Sequence, residues 1–212
     1  MSEPARQQKP KWRRRAESRP DEILDAALTI FERDGFDAAR VEDIAKAANL
    51  SKAGVYLYFE TKDAILRGLI EREVAPVARN FRAMAEAGVE DPVASLRMIV
   101  AGFTELAGDK RKFAVPRLVL SVASRYPDLA VYYRENVVEQ GLGAVKGLVA
   151  AGMEQGVFRP CDPGAAARAL LGPIFIHGFY THFLHGDPGP LGAAERVEAH
   201  TDILLNGLMA PQ

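Results

Sequence analysis

From Ser51 to Lys62 the chain reads Ser-Lys-Ala-Gly-Val-Tyr-Leu-Tyr-Phe-Glu-Thr-Lys, and these side chains suit contact rather than bond making. Lys52 can reach a guanine edge or a phosphate, small Ala53 and Gly54 let a backbone come close to base edges, and Leu57 can meet a thymine methyl. A helix with that face fits the major groove of duplex DNA. Just before it, Ile44-Ala45-Lys46-Ala47-Ala48-Asn49-Leu50 offers a short apolar helix and a tight turn, so the two segments together have the layout of a helix-turn-helix.

Positioning such a face needs a helical scaffold. Apolar residues recur at three and four positions along the chain rather than at two, which predicts an all-α protein of about nine helices. Ile23, Ala26, Ala27, Ile30 and Phe31 line the first, over 19–34; Ser18 and Asp21 resemble a capping box at its start, and Gly35 stops it. The second covers 41–48 with Val41, Ile44, Ala45 and Ala48 inward. Asn49 tolerates the left-handed conformation of the turn, and Leu50 plugs the gap between the helices. Ser51 caps the third, 52–59, and Thr61 the fourth, 62–87, which Pro76 bends. Asp91-Pro92 and Asp162-Pro163 each join an N-cap to a first-turn proline and open the fifth and eighth helices, the eighth kinked at Gly172-Pro173 and running to about His185. The sixth spans 112–125, the seventh runs from Asp128 to Gly156, and the ninth covers 193–208. The division that follows is a flexible basic arm (1–18), a DNA-binding head (19–62) and a larger body (63–212).

Charge agrees with that division. Residues 1–20 hold seven basic and two acidic side chains, whereas the other 192 residues hold 20 basic and 26 acidic ones. A basic arm on an acidic body is expected when one end faces a polyanion, and Lys9 to Arg15 could follow the duplex and enter its minor groove. A hydrophobic fraction of 48% supports a substantial core. Cys161 is the only cysteine, which excludes an intramolecular disulfide and a thiolate metal cluster and fits a reducing cytoplasm. No apolar run is long enough for a bilayer, so a cytoplasmic protein with no membrane partner is expected.

The residues Ile23-Leu24-Asp25-Ala26-Ala27, Phe31, Gly35-Phe36, Asp43-Ile44-Ala45, Ser51 through Phe59, and Lys62-Asp63 resemble, in order and spacing, the TetR family of bacterial transcriptional regulators. The resemblance covers about residues 19 to 66. In the body it extends only to local phrases such as Gly156-Val157-Phe158-Arg159-Pro160. It implies that Tyr56 sets its hydroxyl on a phosphate while its ring packs on the first helix, and that Tyr58 lies beside the backbone at the groove edge. Lys62 is expected on a phosphate, with Thr61 and the free amides at the start of the fourth helix in support, and Ser51 is counted among the DNA-binding residues. Where the family has a capping Thr before the second helix this chain has Ala39-Arg40, so a charged contact from Arg40 replaces the hydroxyl contact.

The resemblance further implies a body that binds a small molecule and a homodimer that answers by changing the separation of its two heads. A twofold dimer calls for a palindromic operator. The candidate ligand-lining residues are Phe103, Leu106, Phe113, Leu120, Tyr133 and Asn136; their apolar majority points to a hydrophobic or aromatic effector. The candidate dimer surface is Phe175, Phe179, Tyr180 and Phe183 of the eighth helix with Ile203, Leu204 and Leu208 of the ninth.

Other signals carry less. His177, His182 and His185 lack acids or cysteines at matching spacing, so neither a metal nor another cofactor is expected. Gly141 to Gly147 has the wrong spacing for a nucleotide loop. No nucleophile, base and orienting group stand at informative spacing, so no enzyme is expected. Two rivals remain: a sequence-neutral, nucleoid-type DNA binder, and a small-molecule-binding helical protein without a DNA role. The large second domain speaks against the first.

Overall fold

The computed structural model describes the backbone of residues 11–208 and the side chains of residues 18–207. Residues 1–10, and the side chains of the other arm residues up to Glu17, lie outside that description, and with them the proposed minor-groove contacts from Lys9 to Arg15. The chain divides into two compact units, residues 1–69 and 70–212. Among the described residues there are eleven α-helices, two π-helical turns and no strand. Counting each π turn as a continuation of its neighbours leaves nine helical runs, since two joins each merge a pair.

The first unit holds α1 (Lys11–Asp34), α2 (Val41–Ala47), α3 (Lys52–Tyr56) and α4 (Lys62–Leu69). Helix α1 starts well before the expected residue 19, inside the segment read as a flexible arm. Lys11 to Glu17 contains neither Gly nor Pro to break it, and Ser18 sits within the helix, where its hydroxyl bonds Glu22 at 3.1 Å instead of capping a terminus. Gly35 ends α1 at φ +78, a left-handed conformation that glycine adopts without a Cβ penalty. Ile23, Ala27, Ile44, Val55, Ile65, Leu66 and Leu69 are all fully or almost fully buried, and the rings of Phe31 and Phe36 pack 5.1 Å apart. Because Ile65, Leu66 and Leu69 join this core, the unit ends at Leu69 rather than at residue 62.

In the second unit a π turn (Ile70–Val74) leads into α5 (Ala75–Ala87), where one continuous helix was expected. Pro76 stands in the first turn of α5, lacking an N–H and crowding the carbonyl one turn back, and the wide turn before it absorbs the mismatch. Then come α6 (Pro92–Gly108), α7 (Ala114–Val122), α8 (Pro127–Tyr133), a second π turn (Arg134–Val138), α9 (Glu139–Glu154), α10 (Pro163–His182) and α11 (Ala193–Leu208). Both Asp-Pro starts cap as their sequence predicts: Asp91 accepts from the Ala94 amide at 3.0 Å and Asp162 from the Ala165 amide at 2.5 Å. Leu96, Ile99, Val145, Leu148, Val149, Phe158 and Leu170 form the centre of one core. The glycines at 141 to 147 lie in α9, and Gly141 is there because the Phe103 ring lies where its Cβ would be, 2.9 Å away. No helix among the described residues is long and apolar enough to cross a membrane.

Candidate nucleic-acid interface and ligand cavity

The turn between α2 and α3 is built as its residues dictate. Asn49 takes φ +54, and the Leu50 amide bonds the Ala45 carbonyl at 2.8 Å. Ser51 caps α3 by accepting from the Gly54 amide at 3.0 Å. Helix α3 is shorter than expected, giving way to a turn through Leu57 and Tyr58 before Phe59. Only Val55 of this segment is wholly buried, and it acts as the pin. Phe59 covers Gly68, whose Cβ would lie 2.8 Å from its ring.

What remains faces outward. Leu57 is 83% exposed, Tyr56 and Tyr58 about half as much, and Ser51, Lys52 and Ala53 are exposed with Gly54 half-buried beside them. Lys52 pairs with Glu42 of α2 at 2.6 Å and lies 5.8 Å from the Tyr56 ring centre. The hydrogen bond and charge of Glu42 raise the Lys52 pKa, and Lys52 lowers that of Glu42 in return. Lys52 therefore stays cationic, held over the front of α3. Arg40 occupies the N-cap position of α2 with its side chain exposed and making no capping bond. Thr61 accepts from the Ala64 amide at 3.0 Å, capping α4 as expected.

Lys62, expected on a phosphate, is bonded within the head itself. Its ammonium donates to the carbonyls of Phe36 at 2.6 Å, Asp37 at 3.0 Å and Ala39 at 3.1 Å, and sits 4.7 Å from the Phe36 ring centre. An ammonium has three protons, and all three are engaged in closing the loop between α1 and α2.

The second unit contains a cavity of about 390 Å³. Phe103 and Leu106 of α6, Phe113 and Tyr133 line it, together with Val74, Pro116, Val137, Leu142 and, from α10, Arg168, Leu171, Gly172, Ile174 and Phe175. The Phe103 ring stacks on Phe81 with centroids 4.3 Å apart. Tyr133 is 8% exposed, and burial pushes its hydroxyl pKa up, so it remains a proton donor at any physiological pH.

Two candidates do not line the cavity. Leu120 is two turns beyond Phe113 on α7 and 38% exposed. Asn136 turns to its own helix, donating to the Tyr132 carbonyl at 2.9 Å. Sequence periodicity missed the α10 stripe because that helix is apolar on every face. Its one local signal was Arg168 among Ala, Leu and Gly.

The candidate dimer residues show a mostly open apolar surface. Tyr180, Phe183 and Ile203 are exposed, as are Ile176 and Leu184, which the sequence reading passed over; Phe179 and Leu204 are half-buried. Phe179 and Phe183 stack 4.7 Å apart, whereas Phe175 turns partly to the cavity, 5.7 Å from Phe113. The Leu208 side chain lies outside the described residues. His182 packs its ring 5.8 Å from that of Phe113, and no cluster of three or more potential metal ligands occurs among the described residues.

Known proteins share both units. Residues 23–69 match the family model described as bacterial regulatory proteins, tetR family, and residues 94–205 match that of the AefR-like transcriptional repressor C-terminal domain. The HTH-type transcriptional regulator YfiR of Bacillus subtilis is 28% identical over 148 residues, 69% of this chain and 71% of that protein. The structure of a TetR-family regulator from Mesorhizobium loti is 23% identical with a TM-score of 0.71, covering 91% of this chain and 96% of that one. That of FadR from Bacillus subtilis, solved with stearoyl-CoA, is 20% identical with a TM-score of 0.65 over 88% and 98%. These two structures share the fold.

Proposed function

The chain belongs to the TetR family and is a ligand-responsive, DNA-binding transcriptional regulator; from that premise we propose that it is a homodimeric cytoplasmic repressor released from a palindromic operator by a small apolar effector. The observation that carries the DNA reading is the outward row of Lys52, Ala53 and Tyr56 on α3 and of Leu57 and Tyr58 in the turn that follows it, all pinned by Val55. A leucine as exposed as Leu57 has no use within the head, and it suits a thymine methyl. Arg40, Ser51, Thr61 and the two tyrosines supply phosphate contacts around it, and Gly54 allows close approach. Lys62 supports the site from behind.

The open apolar surface of α10 and α11 is the kind a second copy would cover, through Phe179, Tyr180, Phe183, Ile203 and Leu204. Regulation then requires that the effector bind more tightly to the dimer state that does not hold the operator, since only a difference in affinity shifts an equilibrium.

Selection of genomic fragments by purified protein, with light scattering of the free protein, tests the reading. The expected result is a dimer that enriches one palindrome against excess random duplex, with affinity falling steeply with salt. A strict monomer that ignores every duplex at low ionic strength overturns it. A dimer that binds random and selected duplex equally returns the nucleoid-type alternative.

A further inference from the structure

On the reading of α3 as the helix that enters the major groove, an acid enters beside it. Glu42, in the first turn of α2, sets its carboxylate 2.6 Å from the ammonium of Lys52, the first residue of α3, and both side chains are about half exposed. A polyanion repels a carboxylate placed against it, and an ion pair this exposed adds little to folding. The same turn of α2 also holds Asp43, so the helix end keeps an acid without Glu42. The carboxylate therefore calls for a use at the groove.

The two heads stand as an acceptor and a donor side by side. The hydrogen bond from Lys52 lowers the Glu42 pKa most, its own backbone amide and the charge of Arg40 lower it further, and Lys52 is raised in return. Both keep their charges at neutral pH. The ammonium lies 5.8 Å from the Tyr56 ring centre, so the pair sits at the N-terminal end of α3, the end from which recognition helices touch base edges.

A base pair carries the complementary pattern. In G·C the guanine O6 accepts from the cytosine N4 at about 2.9 Å, so an acceptor and a donor face the groove at nearly the spacing of the two heads. Guanine N7, beside O6, offers the ammonium a second acceptor, and no acceptor lies beyond N4 to repel the carboxylate. In A·T the amino group lies between adenine N7 and thymine O4. A carboxylate reaching it meets an acceptor on each side, and the thymine methyl crowds the ammonium at O4.

We infer that Glu42 is a base-reading residue that acts with Lys52 as one composite reader of a G·C pair in the operator, the carboxylate taking the cytosine amino group and the ammonium taking guanine O6 and N7. Glu42 also keeps Lys52 off the phosphates, so that this cation serves sequence rather than general affinity.

Selection by the full chain from a randomised duplex library, repeated with Glu42→Gln, Lys52→Gln and the double variant, tests this. The parent should require G·C at one position that Glu42→Gln relaxes by at least about tenfold, toward A·T, because a glutamine amide reads adenine N6 and N7. The rest of the site should stay as it was. Lys52→Gln should relax the same position, and in the double variant the two losses should not add, since the pair acts as a unit. With the carboxylate gone and Lys52 released, Glu42→Gln should bind random duplex several-fold more tightly, with a log-log salt slope steeper by about 0.9. Its urea midpoint should match the parent's, which a structural role for the pair does not allow.

If Glu42→Gln leaves every position unchanged or weakens all alike, while Leu57→Ala still relaxes a thymine position, the composite reader is overturned and the groove reading of α3 stands. Changes at different positions in the Glu42 and Lys52 variants overturn it too. If the parent enriches no sequence at all, α3 does not read the groove and the reading beneath fails.

Discussion

In the head, the residues offered outward and the residues that hold them in place are different ones: Leu57 is 83% exposed, while Val55, two positions before it, is fully buried. In the body the two sets coincide. Phe103 lines the cavity and at the same time stacks on Phe81 and covers Gly141. A groove reader needs a hard ridge, and its outward atoms contribute little to folding. A cavity exists only as the inner surface of a packed core, so whatever changes it also changes packing. Function and stability should therefore separate residue by residue in the head and resist separation in the body.

The strongest test of that contrast is Phe103→Ala. It should destabilise the protein by about 3 kcal/mol, since it leaves a void beside Phe81, and should alter ligand affinity in the same variant. Calorimetric unfolding paired with ligand titration reads both, and a change in affinity with no change in stability would break the contrast. Next comes Lys62→Met, which leaves three loop carbonyls without their charged donor. It should cost about 2 kcal/mol, seen as a lowered urea midpoint and faster amide exchange around Phe36 to Ala39. Lost operator binding with unaltered midpoint and exchange would instead restore Lys62 to the phosphate. Ser51→Ala removes the cap of α3 and should cost about 1 kcal/mol, whereas Ser51→Asp keeps the cap and should lose affinity for DNA by charge repulsion alone. The smallest effect on folding is Leu57→Ala, within about 0.5 kcal/mol, yet it should weaken operator binding about tenfold in a gel-shift titration and do so most where a thymine is required.

The same contrast explains what could be read from the chain in advance. Nearly everything in the turn and α3 follows from neighbours in sequence: the left-handed Asn49, the cap at Ser51, the inward Val55. The Asp-Pro helix starts and the stop at Gly35 are equally local. Lys62 was illegible because its partners are main-chain oxygens 23 to 26 positions away, and a backbone acceptor leaves no mark on the pattern of side chains. The early start of α1 escaped because Ser18 imitates a cap whose geometry exists only if the helix begins there. Four of the six cavity candidates were found from aromatic and aliphatic stripes. Leu120 and Asn136 were not separable from them without knowing how α7 and the second π turn face their neighbours.

The tether from Lys62 also sets where this recognition cassette can be cut. A chimera that transplants residues up to Phe59 into another scaffold would carry the probe but leave behind the amine that closes the α1–α2 loop, stranding the carbonyls of Phe36, Asp37 and Ala39. A splice placed at or beyond Leu69 keeps donor, loop and core residues together, and only such a hybrid should inherit the operator preference of its parent.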